Sequence, residues 1–240
     1  MQILITGGTG KLGKELVKLF PGAITPGRNE LDITDRKSVF DYVKSRRPDI
    51  VIHTAAFTDV ARSEAEPEAA WKTNVTGTEN LVDACIANAP GARFVYISTA
   101  CVFDGVKGMF TESDLPHPKN FYSLTKLLGE FVVKKLPMHI IVRTNFVAKE
   151  PWPYPRAFTD RYGTYLFAED VARGIKEVLD EKLVGTVHVT GDTKMPMFEL
   201  AKMTTPDVKP MTLKDYSGPA LTVDMSLGTE KWRKYKISKP

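Results

Sequence analysis

From Gln2 to Arg143 the chain alternates short, almost wholly apolar runs with longer stretches whose apolar residues recur every three or four positions. Residues 2–6 (Q-I-L-I-T) form the first run, and 11–20 follow with Leu12, Leu16, Val17 and Phe20 at helical spacing. Pro21-Gly22 stops that helix, and 23–25 read as a brief strand before Pro26-Gly27. Residues 35–46 have helical spacing through Val39, Phe40 and Val43, and 49–53 (D-I-V-I-H) read as a buried strand. One long helix is expected over 67–89, closed by Pro90-Gly91. Strand 93–98, helix 123–136 and strand 138–143 complete the alternation. Strands without a polar face, separated by helices, predict an α/β fold: a doubly wound parallel sheet (Rossmann) covered on both sides.

Beyond residue 145 the pattern changes. Residues 149–156 (K-E-P-W-P-Y-P-R) set three prolines around Trp152 and Tyr154, which excludes a helix interior or a central strand. A helix over 168–179, a strand over 186–190 and a short helix over 196–203 follow, and the rest reads as irregular. The expected organisation is a dinucleotide-binding domain over 1–145 and a small C-terminal substrate lobe over 146–240, with segments that return to the first domain.

Composition adds exclusions. In 240 residues, 42% apolar and 26% charged is ordinary for a globular chain able to bury a full core. No run approaches the roughly eighteen apolar residues of a membrane helix, and the first residues enter a strand pattern directly, so neither a membrane partner nor a secretory signal is expected. Cys85 and Cys101 form neither a disulfide framework nor a C-x-x-C pair, which makes the cytoplasm the expected compartment. The formal charge of +4 resides wholly at the end of the chain, in Lys231, Arg233, Lys234, Lys236 and Lys239 against Glu230. Such a tail reads as solvated, and no nucleic-acid partner is expected. His53, His117, His139 and His188 have no ligand spacing, so no metal is expected.

Three groups of residues carry chemistry. Residues 6–13 (T-G-G-T-G-K-L-G) follow the first strand and open the first helix, where glycines 7 and 10 allow a tight turn and close approach of backbone to a pyrophosphate. Gly13 permits close helix–sheet packing. Tyr122 and Lys126, at i and i+4, share a helical face, and the ammonium is expected to lower the phenol's pKa so that it exchanges protons. Ser98-Thr99 stands at the carboxyl end of a strand, where open α/β sheets bind ligands, and supplies a hydroxyl opposite the tyrosine. Each group also has a bland reading, as a steric turn, a solvated helix face or a turn pair. Their order along these elements is what makes them specific.

Together the blocks 6–13, 31–35 (L-D-I-T-D), 48–56 (P-D-I-V-I-H-T-A-A), 97–105 (I-S-T-A-C-V-F-D-G), 118–122 (P-K-N-F-Y) and 126–130 (K-L-L-G-E) resemble the extended short-chain dehydrogenase/reductases. Within them the likeness is to the dTDP-4-dehydrorhamnose reductase-like branch, patchier at 167–175 and 185–191. The resemblance implies an NAD(P)-dependent reductase of a keto sugar nucleotide. It implies that Gly7, Gly10, Lys11 and Leu12 hold the pyrophosphate and that Asp32 and Ile33 flank the adenine. Ala55, Ala56 and Thr58 would line the cofactor. Thr99 is implied as the catalytic hydroxyl, Tyr122 as the acid/base, and Lys126 as the residue that binds the nicotinamide ribose and tunes the tyrosine. A homodimer is the assembly left to test.

The chain departs from the branch at Ala100-Cys101, where Asp-Tyr is usual, and in a contracted 145–164 stretch. Cys101 is therefore placed with Thr99 on the substrate side. Trp152 and Arg156 are candidates for stacking on a base and pairing a diphosphate, with a rigid packed loop as the other reading. Two alternatives stay open. One is a cofactor-binding regulatory subunit resembling that of methionine adenosyltransferase. The other is a sugar-nucleotide epimerase/reductase, because Cys101 falls where GDP-fucose synthases place an acid/base cysteine. Cofactor choice follows from Pro26-Gly27-Arg28, which puts an arginine and no acid where a 2′-phosphate would lie, so NADP is preferred over NAD.

Overall fold

Five short strands rich in branched apolar residues lie parallel: β1 (Ile3–Thr6), β2 (Ile50–His53), β3 (Arg93–Ile97), β4 (His139–Arg143) and β5 (Gly185–His188), in that order across the sheet. The structure, a computed structural model, describes residues 1–239. Register aligns Ile5, Ile52, Val95 and Ile140 in one row and Leu4, Val51 and Phe94 in the next, so successive rows face opposite sides. Helices α1 (Lys11–Leu19), α2 (Arg36–Arg46), α3 (Val60–Ala65), α4 (Pro67–Trp71), α5 (Gly77–Asn88), α6 (Phe121–Val133), α7 (Ala168–Asp180) and α8 (Met197–Thr204) follow along the chain. On one face Leu12 and Leu16 of α1 and Val171, Ile175 and Val178 of α7 meet the first row. On the other, Val39 and Val43 of α2, Leu81 and Cys85 of α5 and Val133 of α6 meet the second. Burying each large side chain of these layers contributes about 1.5–3 kcal/mol.

The strand expected at 23–25 is reduced to one bridge. Ile24 N donates to Ile3 O (2.8 Å) and Ile5 N donates to Ile24 O (2.9 Å), and Pro26, with no N–H, cannot continue the ladder. The chain thus passes β1 on one side at Ile24 and on the other at β2. That reversal opens a crevice above the carboxyl end of β1. The helix expected over 67–89 is broken as well: α4 and α5 flank a π-helical turn, Lys72–Thr76, in which Asn74 is turned inward and buried. α6 begins two residues before its expected start, because the Asn120 carboxamide accepts from Ser123 N at 2.9 Å and caps it.

Past β4 the chain forms small pairings that no periodicity announces. Residues 146–147 pair with 166–167, 156–158 with 209–211, and 162–163 lie between 195–196 and 224–225. They border a separate apolar cluster in which Phe103 stacks on Phe110 (4.4 Å) beside Tyr165, Leu200, Met225 and Leu227. α7 and β5 return to the main sheet, so a cut at residue 145 would strip the sheet of its last strand and of half the cover on one face. The basic end of the chain is not free, contrary to the expected solvated tail. Trp232, Tyr235 and Ile237 pack on the first face, the Tyr235 hydroxyl donates to Glu177 Oε2 (2.5 Å), and Arg233 pairs with the same carboxylate. Among the described residues no helix is long and apolar enough to cross a membrane.

Candidate active site

The crevice above β1 is a cleft of about 330 Å³ lined by residues 6–10, 26–28, 31–34, 54–56 and Thr73. Gly7 takes φ +72°, and a Cβ there would sit 2.7 Å from Ala55 N. A Cβ on Gly13 would fall 2.1 Å from Gly7 O, so only glycine lets α1 close onto its own loop. Gly10 N donates to Gly7 O (3.0 Å), and no side chain caps the first-turn N–H groups of α1. A tight glycine turn feeding an uncapped helix start fits a dinucleotide pyrophosphate. Gly7, Gly10, Arg28, Asp32, Ile33, Ala55 and Ala56 all line this cleft. Lys11 and Leu12 do not line it: Lys11 is exposed and Leu12 is buried in the core, which leaves them only backbone N–H groups to offer. Thr58 is exposed beyond the lining loop.

Asp32 Oδ1 accepts from Thr34 Oγ1 (2.7 Å) and Thr34 N (2.9 Å). These bonds, with the Arg28 and Lys72 charges, hold its carboxyl below the usual aspartate value. Arg28 is exposed, with Nε 3.7 Å from Asp32 Oδ2.

The candidate reacting groups come from the end of β3 and from α6. Thr99 follows β3, and its hydroxyl accepts from Cys101 N (3.1 Å), capping the 3-10 turn Ala100–Val102. On α6, Tyr122, Lys126 and Glu130 fall at i, i+4 and i+8 on one face. Burial pushes the Tyr122 phenol up from its ordinary value, Cys101 adds to that, and the Thr99 hydroxyl pulls weakly the other way. The expected lowering by Lys126 is not present. Lys126 instead lies with Nζ 4.1 Å from the Tyr96 ring centroid, 3% exposed, and burial pushes it down to about 7 against the pull of Glu130. At neutral pH the phenol therefore carries its proton, the form that donates to a carbonyl oxygen.

Beneath this row Glu130 is held by three donors. Ser98 Oγ donates to Oε1 at 2.5 Å, Arg143 Nε to Oε1 at 2.9 Å and Arg143 Nη2 to Oε2 at 2.7 Å. The two charged side chains are 1% and 4% exposed. Sequence reasoning missed this pair and also missed Asn74. The Asn74 carboxamide accepts from Phe57 N (2.8 Å), donates to Phe57 O (2.9 Å) and donates to Thr125 Oγ1 (2.9 Å), tying the cofactor-side loop to α6. A polar amide in the middle of an expected helix was the one signal available. His53 is structural: it bridges Thr6 Oγ1 (2.7 Å) and Thr78 Oγ1 (3.1 Å), and burial takes it to about 3, so it is neutral.

Cys101 Sγ, half-buried, donates to Met225 Sδ at 3.4 Å and acts electrostatically on Tyr122. Trp152 and Arg156 are not joined to these groups by any hydrogen bond among the described residues. The Trp152 indole donates to Arg156 O (3.2 Å) and packs with Phe198 and Ala201, while Arg156 is exposed. Trp152 also packs against the cluster of Phe103, Phe110 and Met225 that Cys101 borders, while Pro151, Pro153, Tyr154 and Pro155 around it are exposed.

A parallel sheet with a glycine cradle at its switch point, a threonine after β3 and a Tyr/Lys pair on α6 defines an extended short-chain dehydrogenase/reductase. Residues 1–158 match the family described as the RmlD substrate binding domain, and the chain belongs to that family. It is similar to a dTDP-4-dehydrorhamnose reductase of Aggregatibacter actinomycetemcomitans, 30% identical over 233 residues, covering 83% of this chain and 76% of the relative. The structure of a dTDP-4-dehydrorhamnose reductase of Bacillus anthracis in complex with NADP superposes with a TM-score of 0.86 at 28% identity, covering 94% of this chain and 89% of that one. Methionine adenosyltransferase 2 subunit beta of Rattus norvegicus is 29% identical over 237 residues, covering 83% of this chain and 70% of its own.

Proposed function

We propose that the protein reduces the ketone of a nucleotide-linked sugar with NADPH, as a dTDP-4-dehydrorhamnose reductase-like enzyme. The observation that carries this reading is the face of α6 that Tyr122 shares with Lys126, next to Thr99 after β3 and alongside the glycine cleft. NADPH, held in the glycine cleft, would supply the hydride for the carbonyl carbon. Tyr122 gives its phenolic proton to the carbonyl oxygen as the C=O π pair moves there, and the product is an alcohol. The Thr99 hydroxyl orients that oxygen, and the Lys126 ammonium stabilises the phenolate until solvent reprotonates it. Gly7, Gly10 and the uncapped start of α1 would hold the pyrophosphate, and Arg28, which lines the same cleft, would pair the 2′-phosphate.

Three finer statements belong to this reading. The substrate-side lobe comprises the cluster around Phe103, Phe110 and Met225 with the small pairings after residue 145. The compartment is the cytoplasm, in keeping with two free cysteines. The assembly is a homodimer through the stripe Phe121, Leu124, Leu128 and Phe131 on α6, with Trp71 beside it.

Tyr122→Phe tests the mechanism. Turnover of a keto sugar nucleotide is expected to fall roughly 10²–10⁴-fold while NADPH affinity holds within a factor of about two. Unchanged turnover overturns the mechanism. NADPH binding without oxidation across a panel of keto sugar nucleotides, with capture of a stoichiometric partner enzyme, replaces it with the regulatory-subunit reading.

A further inference from the structure

We propose that Arg161, not Arg156, takes the diphosphate of the nucleotide-sugar substrate. The proposal rests on the sugar-nucleotide reading above and assigns the residue that anchors that substrate. Arg161 lies just before the 162–163 strand and is half-buried. Its Nε donates to Thr222 O at 2.9 Å, and its Nη2 to Met225 Sδ at 3.1 Å. The same Met225 sulfur accepts from Cys101 Sγ at 3.4 Å, so one thioether links this guanidinium to the thiol next to Thr99. The lobe thus delivers a cation to the immediate neighbourhood of the reacting groups.

That cation has no counter-charge. Among the described residues no carboxylate lies within ion-pair distance of Arg161. Asp224, the nearby acid, is engaged by Lys194 and by Ser226. Of five guanidinium N–H donors only two are occupied, one by a carbonyl and one by a weakly accepting sulfur, and three remain. A half-buried, fork-shaped donor with spare valence suits a diphosphate oxygen pair.

Two tyrosines fix the direction in which it works. Tyr165, 1% exposed, has a hydroxyl with no hydrogen-bond partner and feels both Arg161 and Cys101. Tyr216 feels Arg161 and also Asp59, which caps α3 directly after the cofactor-side loop 54–58. Arg161 therefore shares its surroundings with groups from both the lobe and the start of α3. Arg156, by contrast, is exposed on the 156–158 pairing, within reach of the Asp215 charge.

The test is calorimetric titration of the full chain with thymidine diphosphate, thymidine and NADPH at two salt concentrations. Arg161→Gln is expected to weaken thymidine diphosphate at least tenfold and flatten its salt dependence, leaving thymidine and NADPH within twofold. Arg161→Lys, which keeps the charge but not the fork, falls between, and Arg156→Gln binds as the parent does. Melting curves confirm that each variant is folded. If Arg161→Gln keeps its thymidine diphosphate affinity, or Arg156→Gln loses it, the proposal is overturned while reductase activity stands. If Arg161→Gln loses the diphosphate but the parent reduces no keto sugar nucleotide, the site stands and the reductase reading fails. A parent that binds no thymidine diphosphate overturns both.

Discussion

Replacing Glu130 by Gln isolates the network under the proposed catalytic row. The substitution keeps the shape of the side chain but removes its charge and turns one acceptor into an N–H donor, facing either the Ser98 hydroxyl or the Arg143 fork. Arg143 then stays buried without a counter-charge, at 4% exposure and with Nη1 already lacking a partner. Removing one member of so dry a pair costs about 3–5 kcal/mol. For a chain of this length each kcal/mol lowers the melting midpoint by roughly 2–4 °C, so a fall on the order of 10 °C is expected. The double variant Glu130→Gln/Arg143→Met removes both charges and is expected to recover most of that loss, since the desolvation cost of the guanidinium goes with it.

A second readout separates positioning from mere stability. Glu130 is the charge that favours the Lys126 ammonium against burial, which already holds Lys126 at about 7. Without Glu130, Lys126 loses its proton at lower pH. The alkaline fall in kcat/KM, expected from about pH 7 upward in the parent, therefore moves toward acid in Glu130→Gln. Thermal melts and pH–rate profiles of the three proteins make the assay. A single variant that melts within 2 °C of the parent, or a double variant no better than the single, would falsify the ion-pair argument. An unmoved profile refutes the link to Lys126.

Three further outcomes follow from the same geometry. Lys126→Met tests linkage: Lys126 has a folded value of about 7 against 10.5 ordinarily, so the unfolded chain binds the extra proton between these values. Parental stability should gain from this group as pH rises from about 7 to 10.5, by at most on the order of 5 kcal/mol, and urea midpoints should show that gain missing from the variant. Arg28→Ala should weaken NADPH about tenfold by calorimetry at fixed salt and leave NADH nearly unchanged; equal losses for both would remove the 2′-phosphate role. Cys101→Ser should reduce substrate within about tenfold of the parental rate. In heavy water without reductant, neither protein should place deuterium at C3 or C5, because no histidine side chain is hydrogen-bonded to Cys101 or Tyr122 among the described residues. His53 and His188 are engaged elsewhere, His117 lies near Asp104, and His139 Nδ1 bonds Leu136 O. Uptake that disappears in the variant would restore the epimerase reading.

What the sequence disclosed and what it withheld divide along one physical line. The glycine cradle was legible because its demand is local: Gly7 and Gly13 answer to atoms of their own turn and of the next strand. The face shared by Tyr122 and Lys126 was legible because helical period alone puts them together. The Glu130–Arg143 pair joins α6 to β4, the π-helical turn exists to seat Asn74 against Phe57, and Arg161 reaches Met225 from another segment. None of these pairings has a period. The charge count at the chain end predicted a solvated tail, yet Trp232, Tyr235 and Ile237, interleaved among its lysines, bind it to the sheet layer through their apolar area. The error about Tyr122 has the same origin. Spacing on α6 established that an ammonium is near the phenol, and proximity argued for a lowered pKa. The sign of the shift is set by burial: Tyr96 on β3 lies against the Lys126 ammonium, and at Tyr122 burial outweighs every other cause, with Cys101 adding to it. Desolvation wins over a neighbouring charge that is itself half-neutralised by burial at pH 7. A reductase gains from that outcome, because its tyrosine must begin the reaction as an acid.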